Sequence, residues 1–247
     1  MSRLLRAELI KLRTTRTFYA LAGVAIGISL VITVLVASLT EPSKDNVLND
    51  VFQTDSSSLF IMILAIVGIT GEWRHRTITS SLLAAPDRTR FLAAKTLAFA
   101  AAGALLSIGI SIAIAIAGYA ILGARDLPTP ELGELIGQIG RNAGVATLLG
   151  AFGVGVGSVV RNQPIAIVGI LIVSFVIDPA LGALAPEVER FSPTGALPSA
   201  IQGLKPDDVG LPDVDFLSFG AALAVMAAWI AALFAAGAAL LRARDVE

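Results

Sequence analysis

The sequence contains no cysteine and a single histidine, His75. Disulfides, thiolate metal sites and histidine clusters are therefore excluded. Charge is also scarce, at 15% of residues with a formal net of −1, so no overall electrostatic argument points to nucleic acid. Aromatic residues make up 6% of the chain, which leaves few wide surfaces for stacking a bulky ligand. No phosphate-binding loop is present: the glycine run at 153–158 lacks the Gly-Lys-Ser/Thr ending and lies in an apolar segment. Catalysis inside a membrane lacks its residues too. The lone histidine borders a charged loop, and Asp178 has no acidic partner within a span, so neither a Ser-His dyad nor a paired-carboxylate site is available.

What is abundant is apolar sequence. Hydrophobic residues form 55% of the chain and the mean hydropathy is +0.82, which is the composition of a membrane protein. Apolar segments at 18–39, 96–122, 143–160, 165–185 and 216–241 are each long enough to cross a bilayer. A further one, 59–70, is short at 12 residues, or about 18 Å of helix. It must borrow 51–58 to span, which brings Thr54, Asp55 and Ser56 to Ser58 to its end, facing protein or water instead of lipid. The chain thus reads as one all-α, polytopic domain over 1–247 with six transmembrane helices. Residues 186–216 form the longest connection, and its apolar part, 191–204, reads as short interfacial or re-entrant helices before the last span.

The charges that do occur are concentrated. In residues 1–17, Leu4, Leu5, Leu9 and Leu12 share one helical face and Arg3, Arg6 and Arg13 lie opposite, the pattern of an interfacial helix. Glu8 falls inside the apolar arc, so it pairs either with Lys11 at i+3 or with a basic residue of another helix. The second concentration is the loop 72–95. It holds Arg74, Arg76, Arg88, Arg90 and Lys95 against Glu72 and Asp87. Within it Ile78, Leu82 and Ala85 fall on one face of a short helix that Pro86 stops, and Asp87 is placed to cap the next helix. Assigning this loop and both termini to the cytoplasm puts 13 Lys and Arg inside and 5 outside. That bias predicts an N-in, C-in protein of the plasma membrane.

The order Glu72, Arg74 and Arg76, Thr77, Leu82 and Leu83, Pro86, Arg88 or Arg90, Lys95, after a second span, resembles the loop of permease subunits of ATP-binding-cassette (ABC) exporters of the type-2 family. These permeases begin with an amphipathic connecting helix, as residues 1–17 do, and carry re-entrant elements before the last span. The resemblance implies a permease without its own ATPase site and with no cofactor of its own. ATP and Mg would sit on a separate cytosolic ATPase subunit, in a complex of two permeases and two ATPases. It also implies that Glu72, Arg74, Arg76, Thr77, Ile78, Leu82, Leu83 and Pro86 couple the permease to that ATPase. The substrate class, drug, peptide or lipid-like, is not encoded in any residue pattern. An ion-coupled secondary transporter and a non-transporting scaffold are the competing readings. The first normally buries several ionisable groups at mid-membrane on repeated halves, where this sequence offers Asp178 and no repeat. The second leaves the shaped loop unexplained.

Two further features carry expectations. Thr54, Ser57 and Asp178 are candidates for a polar pathway or gate, with Asp178-Pro179 as a simple helix break the plainer alternative. Glycine pairs four apart, Gly23/Gly27, Gly140/Gly144 and Gly153/Gly157, mark close helix packing within the chain or between subunits.

Overall fold

The computed structural model describes residues 1–78 and 87–243. Eleven α-helices make up the described chain, and no strand occurs among those residues. They are α1 (Ser2–Thr14), α2 (Arg16–Leu39), α3 (Val47–Phe52), α4 (Ser57–Arg74), α5 (Arg88–Ala124), α6 (Leu132–Val160), α7 (Gln163–Ile172), α8 (Asp178–Leu184), α9 (Pro186–Glu189), α10 (Ala196–Gln202) and α11 (Phe219–Ala243). Six stretches are long and apolar enough to cross a membrane: α2, α3 with α4, α5, α6, α7 through α8, and α11. This is an all-α, multi-pass membrane protein.

Local chemistry sets the helix ends. Asp87 accepts from the backbone N–H groups of Thr89 (3.0 Å) and Arg90 (3.1 Å), the N-cap expected of it. From there α5 runs 37 residues, about 55 Å, so it extends well beyond a hydrocarbon core of about 30 Å. Glu131 and Glu134 form a reciprocal capping box that starts α6. The same helix stops where Arg161 takes a left-handed conformation, φ 58°, and Pro164 enters the first turn of α7.

Helix α6 is the hub. It packs on α4, α5 and α11, and α10 lies against both it and α11. Its contacts with α4 and α5 are backbone-close because glycines line them. A methyl group at Gly150 would lie 2.5 Å from the carbonyl oxygen of Phe99, and one at Gly153 would lie 2.5 Å from that of Met62. Gly157 belongs to the same seam, against Ile66 and Ile69. The other two sequence pairs behave differently. Nothing lies within 4 Å of the Cβ position at Gly23, Gly27, Gly140 or Gly144, so these four make no close helix contact among the described residues.

Two spans depart from uniform α-helix. The second is broken at 53–56 between α3 and α4, a discontinuity the sequence reading treated as one helix. The fifth does not break at Asp178-Pro179 as expected. It widens into a π-helix over Val173–Ile177, and α8 continues directly from Asp178, so the proline, which has no N–H to donate, follows a locally widened turn.

Candidate functional site

At the end of the bundle that carries α1, four charged residues from three helices close a ring. Lys95 of α5 donates to Glu8 of α1 at 2.6 Å and to Glu72 of α4 at 3.2 Å. Lys11 of α1 reaches the same two carboxylates, at 3.1 Å each. Each lysine therefore bridges both acids, and the ring is formally neutral. Glu8, Glu72 and Lys95 are buried, whereas half of the Lys11 side chain meets solvent. Both pairings anticipated for Glu8 occur together. Lys95, read in the sequence as loop charge and as the last residue of the resembling motif, is 2% exposed and sits over the Phe91 ring at 5.5 Å.

This arrangement explains two otherwise costly placements. A carboxylate in the last turn of α4 faces the negative end of the helix dipole. A carboxylate in the apolar arc of α1 would be buried unpaired. The lysines offset both. For Lys11 itself, partial burial works against its charge, but Glu8 and Glu72 outweigh it and hold the ammonium above the usual lysine range.

The ring brackets the charged loop. Beyond Glu72 the chain turns at once: the N–H of Thr77 donates to the Glu72 carbonyl at 2.9 Å, and Arg76 is left-handed, φ 55°. Arg74 donates to Gln163 of α7 at 3.3 Å. Ile78 is 4% exposed and belongs to the buried core cluster that also contains Phe91, Leu92 and Leu241. Its side chain is thus already covered within the chain. Leu82, Leu83 and Pro86 lie outside the described residues. Beside the ring is a cleft of about 1020 Å³ whose walls include Phe18, Leu21, Ile63, Val67 and Ile167.

Toward the opposite end lies the polar break in the second span. The Thr54 and Thr33 hydroxyls are 2.5 Å apart, and those of Ser56 and Ser29 are 2.8 Å apart. Asp55 accepts from Ser107 (2.6 Å) and Ser111 (3.0 Å) of α5, while its other oxygen takes the N–H of Ser57 (2.8 Å). The buried Ser57 is the first residue of α4. Next to it is an amide cluster that sequence reasoning missed. Asn142 accepts from Gln53 (3.1 Å), Gln138 (3.1 Å) and Gln202 (3.3 Å). The signal available for it was Gln138 and Asn142 at i, i+4, two amides on one face of a helix.

Asp178 is 4% exposed and belongs to a third polar group, between α8 and the hairpin α9 to α10. Ser192 donates to one of its oxygens at 2.8 Å and Thr194 to the other at 2.5 Å. These bonds fasten the hairpin to the fifth span. No family model matches the chain, and no curated protein is similar to it.

Proposed function

We propose that this protein is the permease half of an ATP-driven exporter of the type-2 ABC kind. Two copies would work with two cytosolic ATPase subunits, which bind the ATP and Mg. The observation that carries this reading is the ion-paired ring. Glu72 precedes the charged loop and Lys95 follows it, so a direct bond between them makes the two helices flanking the loop one mechanical unit. Glu8 and Lys11 add α1 to that unit. A loop held this way transmits a push from a bound motor as a movement of whole helices; a loose connector would absorb it. The 13 to 5 distribution of Lys and Arg supports placing this loop and both termini on the cytoplasmic side of the plasma membrane.

The test uses the chain in detergent-solubilised membranes. The wild type should copurify, in equal numbers, with an ATPase identified by its own phosphate-binding lysine motif, and should hydrolyse no ATP alone. Leu82→Asp, which would put a charge in the ATPase groove, is expected to remove most of that association. Glu72→Ala leaves Lys95 and Lys11 still bonded to Glu8, so it should keep the ATPase bound while weakening the coupling read as substrate-stimulated hydrolysis. Wild-type association and coupling in both variants would reduce the loop to a connector and remove the proposal's support.

A further inference from the structure

The hairpin at the end opposite α1 contains a buried acid that the exporter reading does not use. Glu189, the last residue of α9, is 0% exposed. Its Oε1 accepts from the backbone N–H of Ala196 at 3.2 Å. Its Oε2 finds no hydrogen-bond partner among the described residues. The carboxylate presses on Gly195, where a side chain would collide with Oε1, and the Asp178 Cβ lies 3.2 Å from that same Cβ position. Two buried carboxylates therefore adjoin across one glycine.

The charged groups around them give no compensating cation. Asp178, from α8, acts on Glu189 with like charge. Arg190, the next residue, sets its guanidinium over the Phe191 ring at 5.3 Å, and its Nε has no hydrogen-bond partner among the described residues. Helix α10 carries no charged residue, and α11 carries none before Arg242, near its far end. Arg141 of α6 meets α10 at Gln202, the end away from Glu189. Glu187, Lys205, Asp207, Asp208, Asp213 and Asp215 are exposed.

A pair of buried like charges without a cation is relieved most economically by one proton. Of the two acids, Asp178 has a hydroxyl donor on each oxygen, whereas Glu189 has one backbone donor and an unserved oxygen. We propose that Glu189 is a proton-binding site that latches the hairpin onto the fifth span: with the proton bound the two acids pack together, and without it their repulsion loosens the hairpin. Burial first, and then the Asp178 charge, push the Glu189 carboxyl up to about 7 from a usual 4.5, against the lowering by the Ala196 N–H.

The direction of the pH effect follows. Below 4.5 the group is protonated folded or unfolded and contributes no difference. Between 4.5 and about 7 the unfolded chain gives up the proton that the folded chain keeps, so stability falls as pH rises, and it levels off above that.

The experiment is an infrared pH titration of the purified full chain in detergent, with thermal unfolding in parallel, for wild type and Glu189→Gln. The wild type should show a protonated-carboxyl band that disappears near pH 7 and that Glu189→Gln lacks. The unfolding midpoint of the wild type should drop over that interval more than that of the variant. Absence of a band titrating in that range in the wild type overturns the proposal, even if the variant fails to fold. So does an identical stability profile in the two proteins, or a wild-type midpoint at pH 8 that sodium or calcium ions raise while the variant's stays fixed, which would make a metal cation the occupant.

Discussion

Lys95→Met should give the largest loss of stability of any single charge removal in the ring, about 3–5 kcal/mol, the usual cost of breaking a buried ion pair from one side. The variant leaves Glu8 and Glu72 buried near one another, served only by the half-exposed Lys11. Methionine fills most of the lysine's volume, so the loss reports the charge more than a cavity. Two companions separate the electrostatic account from packing. Adding Glu8→Gln to Lys95→Met removes one of the stranded anions and should recover a good part of the loss. Lys11→Met, at a solvent-facing corner, should cost about 1 kcal/mol or less, the range of exposed pairs. Thermal or denaturant unfolding in one detergent measures all three. A Lys95→Met protein within about 0.5 kcal/mol of wild type, the scatter of ordinary surface substitutions, would mean that the ring does not hold α1, α4 and α5 together.

Gly150→Ala is expected to disrupt the center of the bundle. Its added methyl meets the Phe99 carbonyl oxygen at 2.5 Å, which is backbone and has no rotamer to yield, so α5 and α6 must separate. Overpacking of this kind costs about 1–3 kcal/mol and occasionally more, here at the interface that links the hub to its longest neighbour. Gly144→Ala provides the contrast six residues earlier on the same helix. It meets nothing within 4 Å, and alanine is the better helix former by about 1 kcal/mol, so the isolated chain should be unchanged or slightly more stable. Equal effects of the two substitutions on unfolding of the monomeric chain would contradict the packing described for α6. A loss confined to Gly144→Ala in the assembled protein would assign that open face to a subunit contact.

The candidate site was partly legible in the sequence. Glu8 stood out because a carboxylate in an apolar arc needs a partner, and Glu72 because it begins a charged loop after a span. Lys95 did not stand out. Eight residues past the Asp87 cap, it read as another positive charge of that loop, since its burial depends on α1 folding over α5, which no local pattern records. The same limit applies to Ile78. Its spacing with Leu82 and Ala85 marks an apolar face, but only the tertiary arrangement shows that it joins a buried cluster of the chain's own core.

The amino-acid sequence by itself determined the class of this protein, because hydrophobic runs of membrane-spanning length and the rarity of charge are sums over local composition. It also determined the start of α5, since an aspartate before a helix acts within three residues. The tertiary structure alone decided which of three similar glycine pairs packs, which lysine is buried, and that Asp178 holds a hairpin while one oxygen of Glu189 has no hydrogen-bond partner among the described residues. Those outcomes depend on contacts between residues far apart in the chain. Within a helix, positions such as Gly140 and Gly153 are locally alike; they differ in what the other helices bring against them.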